Sequence, residues 1–137
     1  KIYDILEPQG KALVHTIGSV DGPRDPQAWI TTFIFPSGYT PSFSELMPAI
    51  ENSKLVLGDL EVLPGIHYAS TLEEWKKRFI KNKDIVLKNY SEKFYRLWLF
   101  YLSSCEYAFR WTDQCNFQIL LDKDINTSPR TRGYIYS

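Results

Sequence analysis

The residue best suited to chemistry is His15, near the carboxyl end of a short apolar run at residues 11–17 (KALVHTI). In open α/β sheets, ligands bind in the crevice beyond the carboxyl ends of the strands. An imidazole there can bind an anion or a reacting group, and the backbone N–H of Ile17 can join it. A histidine that only packs in the core, with its hydrogen bonds satisfied, also explains the residue.

A second polar pair, His67 and Tyr68, comes just after the next predicted strand. If that strand runs antiparallel to its neighbour or hooks back over it, these side chains arrive at the same edge of the sheet as His15 and converge with it on a shared apolar space. Aromatic residues make up 15% of the chain, and they either fill the core or line a pocket. The residues alone therefore leave two interpretations open, a ring-lined site or ordinary packing.

Structural roles account for the other residues whose side chains could take part in chemistry. The carboxylates Glu73 and Glu74 suit the N-terminus of a helix, and Asp122 and Asp124 suit the end of a strand in water. Two cysteines and two histidines are too few for a disulfide framework or a four-ligand zinc site, so no metal site is predicted. The sequence has no Gly-x-Gly-x-x-Gly, phosphate loop or Gly-x-Ser-x-Gly motif, so no nucleotide-type cofactor site is predicted within it.

The order of helix, turn and apolar strand at the start of the chain predicts an α/β sheet. The predicted strands cover residues 11–17, which we expect to be buried on both faces, 55–63 and 117–121. Three predicted helices cover residues 1–8, 29–35 and 42–52. A fourth begins at a capping box at Ser70 or Thr71, and a fifth covers residues 94–109 and is expected to be largely buried. We expect residues 128–137 to be a loose tail.

The composition limits the setting and the partners. The length of 137 residues predicts one domain, and the formal net charge is zero, which argues against a nucleic-acid partner. The longest apolar run, residues 97–102, is far shorter than the roughly 20 residues that span a bilayer. No signal-peptide pattern opens the chain, so we predict a cytoplasmic location. The chain starts at Lys1 without methionine, and we interpret it as a segment of a longer protein.

Five segments together resemble a known family. In chain order they are LVHTIGSVDG, WITTFIFPSGYTPS, HYASTLEEWKKRF, YSEKFYRLWLFYLSSCEYAFR and NFQILL. They are similar to the C-terminal part of cyclopropane-fatty-acyl-phospholipid synthases and mycolic acid cyclopropane synthases. The resemblance implies the C-terminal half of a class I S-adenosylmethionine-dependent methyltransferase, a Rossmann-like sheet with a helical insertion before the last strand. We therefore assign residues 1–123 to the methyltransferase domain and 124–137 to a C-terminal tail.

The resemblance also implies a reaction. The family transfers a methyl or methylene group from S-adenosylmethionine to a cis double bond of an acyl chain in phospholipid, with bound bicarbonate as the proposed base. The residues that hold bicarbonate match His15, Ile17 (through its backbone) and Tyr68 here. Imidazole, amide N–H and phenol suit a small anion, particularly in a dry pocket. Acyl-chain contacts carry over to Phe35, Leu72, Tyr101 and Cys105. Ordinary core packing explains these four residues as well.

This sequence also departs from the family pattern. Ser37 stands where glycine is usual and Thr40 where leucine is common, which leaves the lipid preference open. The family's glycine-rich cofactor motif and two further bicarbonate ligands have no match here. We therefore expect no S-adenosylmethionine site in this chain and no turnover by it alone. Because the first strand is expected to be central in a complete sheet, we predict that its open edge pairs with a second copy in a homodimer.

Two other functions stay open. A small-molecule N-methyltransferase of the same superfamily shares the layout and a loop like IFPSG, although N-methylation has less need of the bicarbonate-holding residues. A non-catalytic lipid-binding or dimerisation module would retain only the scaffold. A phospholipid substrate implies peripheral contact at the inner face of a membrane, and the basic residues between 76 and 88 either touch anionic head groups there or form a solvated helix face.

Overall fold

A three-stranded sheet lies between two layers of helices in the computed structural model, which describes residues 1–129 and 131–136. The strands are β1 (Lys11–Ser19), β2 (Val56–Leu63) and β3 (Gln114–Asp122). The helices are α1 (Ile2–Ile5), α2 (Ala28–Phe33), α3 (Phe43–Glu51), α4 (Gly65–Lys81), α5 (Lys83–Asn89) and α6 (Glu92–Trp111). A 3₁₀ turn follows at Arg132–Ile135.

The strand order is β1-β3-β2, and the central strand β3 runs antiparallel to both neighbours. β1 and β2 are therefore parallel to each other, so their carboxyl ends lie at the same edge of the sheet. Helices α4, α5 and α6 all occur between β2 and β3. The predicted α/β class and the helical insertion before the last strand are confirmed.

The two faces of the sheet bury separate cores because successive side chains of a strand point to opposite faces. One core forms around Phe117 and Leu121 and packs against residues of α1 and α3. The other forms around Leu72, Leu102 and Phe109, which come from α4 and α6. The second core lies beside the candidate site.

The prediction that the first strand is buried on both faces is wrong. Burial alternates along β1, and Leu13 is 62% exposed. An apolar run indicates two covered faces only when helices lie along its whole length. β1 is an edge strand of the described sheet, and it is fully buried only at its end, at Gly18 and Ser19.

The start of α4 and the burial of α6 differ from the sequence prediction. α4 begins at Gly65 rather than at a capping box, and the hydroxyl of Ser70 donates to the carbonyl of Ile66 inside the helix (3.0 Å). α6 is not largely buried, since Phe100 and Tyr107 are each more than half exposed. Its apolar residues continue around the helix, but only one side packs on α4 and the sheet. None of the helices within residues 1–129 and 131–136 has the length and apolar character to cross a bilayer.

The predicted tail contacts the sheet. Nε of Arg132 and the hydroxyl of Tyr134 both donate to Oδ2 of Asp59 on β2, at 3.0 Å and 2.8 Å. The segment is therefore tied to β2 rather than loose. The domain boundary after residue 123 stays a prediction, and positions 130 and 137 of the tail lie outside the described residues.

Candidate active site

His15 projects from β1 toward two carboxamides of the central strand. Nδ2 of Asn116 lies 3.3 Å from Nε2 of the ring, and Nε2 of Gln118 lies 3.2 Å from Nδ1. Gln118 stands directly opposite His15 in the register, and Asn116 stands opposite Ile17. The imidazole is exposed at the sheet surface and oriented by β3, so it is not a core histidine.

The backbone N–H of Ile17 points away from the sheet. The N–H of Val20 bonds inward to Asp113 O on the β3 side (3.1 Å), whereas that of Ser19 bonds outward to Pro41 O (3.0 Å). Successive residues of an antiparallel strand direct their N–H groups to opposite sides. The N–H of Ile17 therefore shares the outward direction of Ser19 and takes no part in the pairing with β3, as an anion donor requires.

Tyr68 occupies the first turn of α4, whose position depends on a glycine. A Cβ on Gly65 would lie 2.0 Å from the carbonyl oxygen of Phe109 and 2.5 Å from that of Gln114, so only glycine lets α4 begin this close to both backbones. The Tyr68 ring packs on Phe109, with centroids 4.7 Å apart. Burial, with a smaller contribution from Cys105, raises the pKa of Tyr68, so its hydroxyl keeps its proton and can donate.

A cavity of about 670 Å³ at the carboxyl end of β1 brings the predicted residues together. Its wall includes His15, Ile17 and Tyr68, together with parts of the loops on either side of α2 and the start of β3. His67 is exposed on α4 and is not part of this wall. The structure therefore brings the three predicted anion ligands to one place, while their roles stay predictions.

Two of the four predicted acyl-chain contacts lie at cavities. Phe35 borders the His15 cavity and also an adjoining cavity of about 500 Å³ that Tyr101 lines. The two rings meet edge to face, with centroids 5.6 Å apart. Leu72 is completely buried, and Cys105 packs against the same core. These placements do not test acyl-chain binding, so those four assignments stay predictions.

Burial keeps the groups behind the His15 cavity uncharged. It raises the pKa of Cys105 to about 11. It also raises the pKa of Tyr101 to about 12, with smaller contributions from Cys105 and Tyr68. At neutral pH these groups are therefore a thiol and a phenol. Uncharged groups of this kind suit a hydrocarbon guest.

Several site residues could not be found from sequence. Asp113 accepts a hydrogen bond from the Ser19 hydroxyl and lies 3.0 Å from Nη2 of Arg24. Burial acts to raise the pKa of Asp113, but the Ser19 bond and the Arg24 charge help to hold it below its usual value. For Asn116 and Gln118, the one available signal is that polar residues interrupt an otherwise apolar strand.

The structure also explains a departure from the family pattern. Ser37 has a φ of 65°, in the left-handed region that glycine adopts without strain. Glycine would therefore be favoured at this position. Thr40 belongs to the wall of the His15 cavity, so threonine in place of the leucine that is common in the family changes the lining of that cavity directly.

Comparison with known proteins agrees with these observations. The family model for mycolic acid cyclopropane synthetase matches residues 1–119. Cyclopropane-fatty-acyl-phospholipid synthase of Escherichia coli (strain K12) is 34% identical over 125 residues, which is 91% of this chain and 32% of that protein. The chain thus spans about a third of this relative.

Solved structures show the same fold. The cyclopropane synthase MmaA2 from Mycobacterium tuberculosis superposes with a TM-score of 0.79 at 26% identity, covering 89% of this chain and 47% of that one. Mycolic acid cyclopropane synthase CmaA1, complexed with SAH and CTAB, gives a TM-score of 0.75 at 26% identity, covering 83% and 44%. The chain belongs to the mycolic acid cyclopropane synthetase family, with the fold of part of a class I methyltransferase.

Proposed function

We propose that this chain is the part of an S-adenosylmethionine-dependent C-methyltransferase that holds the acyl chain and the base. The whole enzyme transfers a methyl or methylene group to a cis double bond of an acyl chain in phospholipid. The observation that carries this proposal is the meeting of His15, the outward N–H of Ile17 and Tyr68 in one cavity. The similarity to a cyclopropane-fatty-acyl-phospholipid synthase supports the lipid substrate.

The donor set fits bicarbonate. The Tyr68 phenol keeps its proton, the Ile17 amide lies outside the strand pairing, and the His15 ring can donate from a nitrogen. Asp113, a carboxylate in the same wall, is already paired with Arg24. When bound, bicarbonate supplies a base that accepts a proton from the methylated acyl chain. The role of the three donors is to hold that anion at the cavity wall through hydrogen bonds to a charged group, which are stronger than those between neutral groups.

The adjoining cavity suits the acyl chain. Phe35, Trp98 and Tyr101 supply ring surface there, and the faces of aromatic rings attract a cation. Methyl addition to a double bond creates positive charge on the acyl chain, so nearby rings would stabilise it. The 137 residues contain no glycine-rich cradle, and we propose that S-adenosylmethionine is bound by residues outside them. The chain alone is accordingly proposed to be inactive.

Membrane contact follows from the same substrate. Trp75 and Arg78 border the adjoining cavity, and Trp75 is about half exposed. A cation beside an exposed ring suits the interface of a bilayer with anionic head groups. We propose peripheral contact at the cytoplasmic face, with this cavity turned toward the lipid.

A hybrid enzyme tests the proposed function. This chain replaces the matching 125-residue segment of the E. coli synthase, in cells that lack their own synthase. We expect mass spectrometry of extracted phospholipids to show acyl chains that have gained one CH₂. His15→Leu or Tyr68→Phe should lower product by about tenfold or more, because each removes a donor to the base. His67→Leu is the matched control and should leave the product unchanged.

Three outcomes would contradict the proposal. A hybrid that folds and binds S-adenosylmethionine but leaves acyl chains unmodified would favour a non-catalytic lipid-binding or dimerisation module. Methylated soluble amines in place of modified lipids would favour the N-methyltransferase. Equal product from His15→Leu and His67→Leu would show that His15 is not a ligand of the base.

A further inference from the structure

The carboxamide of Asn116 is buried and has an unmet hydrogen-bonding requirement. Asn116 is 1% exposed, and within the described residues its Oδ1 is a buried acceptor without a hydrogen-bond partner. Its Nδ2 lies 3.3 Å from Nε2 of His15, and both side chains belong to the wall of the same cavity. A buried polar atom left unpaired destabilises the folded state, so the position requires an explanation.

The contact at the other ring nitrogen of His15 indicates where the imidazole proton lies. Nε2 of Gln118 lies 3.2 Å from Nδ1, and a carboxamide nitrogen only donates. With Nδ1 as the acceptor of that bond, a single ring proton lies on Nε2. That Nε2–H faces Nδ2 of Asn116, so two donors stand 3.3 Å apart and need an acceptor that both can reach.

The two ring nitrogens also differ in their relation to the cavity. Gln118 is not part of the cavity wall, whereas Asn116 is, so Nε2 is the nitrogen on the cavity side. Asn116 stands opposite Ile17 in the register, which places its carboxamide on the strand beside that residue. An anion in this cavity is therefore within reach of the Asn116 amide as well as of His15.

We propose that Nδ2 of Asn116 donates to the same anion as His15, Ile17 and Tyr68, as a fourth donor. Nδ2 faces the His15 ring in the structure, and in this orientation the anion is the acceptor that both donors need. Turning the carboxamide over pairs the orphaned oxygen instead, because Oδ1 then accepts from the Nε2–H of His15. This inference rests on the proposed function, because it names a further ligand of the same bicarbonate.

An NMR titration of the ¹⁵N-labelled chain tests it, with sodium bicarbonate replacing sodium chloride at constant ionic strength. We expect the side-chain NH₂ of Asn116, the imidazole of His15 and the amide of Ile17 to shift along one saturation curve. Asn116→Leu should weaken bicarbonate about tenfold, as expected for a lost hydrogen bond to a charged group. Asn116→Asp should weaken it further, because a like charge replaces a donor. Asn89→Asp, the same change at the exposed end of α5, should leave the affinity within about twofold.

The outcomes separate this inference from the proposed function. In one outcome the His15 and Ile17 signals shift, the Asn116 NH₂ signal does not, and Asn116→Leu binds bicarbonate like the wild type. The assignment of Asn116 as a fourth donor is then wrong, and the proposed anion site is retained. If no signal of the wild type moves, the anion site fails and the role of Asn116 fails with it. If the variants do not fold, the Asn116 NH₂ signal of the wild type decides the question.

Discussion

Cys105 shows how burial sets the chemistry of a single side chain. Burial raises the pKa of its thiol from 9.0 to about 11, so at neutral pH it holds about a hundredfold less thiolate than an ordinary cysteine. Only the thiolate is nucleophilic, and we expect iodoacetamide to alkylate Cys105 about a hundredfold more slowly than free cysteine, with the rate rising toward pH 11. The measurement is mass spectrometry of a Cys115→Ala variant, which leaves one thiol.

Urea supplies the control for this prediction. In the unfolded chain Cys105 is solvated, so its alkylation rate should rise to that of free cysteine. A native rate equal to the unfolded rate would show that Cys105 is a reactive thiol, and its assignment to an apolar wall would be wrong.

The candidate site residues differ in how far sequence determined them. His15, Ile17 and Tyr68 could be predicted because each lies in or just after a recognisable strand and matches a family motif. Asn116 and Gln118 could not, because their contacts with His15 depend on the register between strands about a hundred positions apart. A one-residue shift in that register would turn both carboxamides to the other face of the sheet.

At the scale of elements, a charged network joins the two helices that support the site. Glu106 of α6 accepts from Lys76 of α4 and lies 3.1 Å from Arg110, which also reaches Glu73 of α4. The hydrogen bond from Lys76 is the largest influence that lowers the pKa of Glu106; burial opposes it and the Arg110 bond adds to it. A lowered pKa means that this contribution to stability is present above the pKa of an unfolded glutamate, about 4.3, and is lost as the pH falls through the folded value.

We therefore predict that Glu106→Gln lowers the free energy of unfolding by about 1 kcal/mol at neutral pH. The difference from the wild type should shrink in acid, where Glu106 itself is protonated. Urea denaturation of both proteins, at neutral pH and in acid, measures this difference in the free energy of unfolding. Glu74→Gln, which breaks only the exposed pair with Lys77, should cost less than about 0.5 kcal/mol. A difference that grows in acid would contradict the sign of this argument.

Most helices and strands were predictable from the sequence, but some of their boundaries were not, and the starts of α3 and α4 show why. The capping box at Ser42 and Glu45 predicted the start of α3, because its hydrogen bonds are local: Glu45 accepts from the Ser42 N–H at 2.8 Å. The start of α4 was missed because it depends on a tertiary contact. Pro64 and Gly65 are typical of a turn. Here Gly65 lets the helix begin beside the backbone carbonyls of Phe109 and Gln114, which are distant from it in the sequence.

On the scale of the whole molecule, the two outer strands of the sheet present unlike edges. β2 carries Asp59 and Glu61, and Arg132 and Tyr134 pack across Asp59. Charged side chains and covering segments are ways in which proteins block edge pairing. β1 has Leu13 exposed and directs the N–H groups of its odd-numbered residues outward. The open edge of the described sheet is therefore β1, as expected from the sequence.

We predict that the chain forms a homodimer through β1, paired over residues 11–15 so that the N–H of Ile17 still faces the cavity. Leu13→Lys should weaken association about tenfold or more, because a charge on an edge strand opposes pairing. Val62→Lys makes the same change on β2 and should leave the dimer intact, since that edge is not used. Light scattering across a concentration series measures both. A wild type that stays monomeric at millimolar concentration, or two variants that dissociate alike, would show that β1 is covered in some other way.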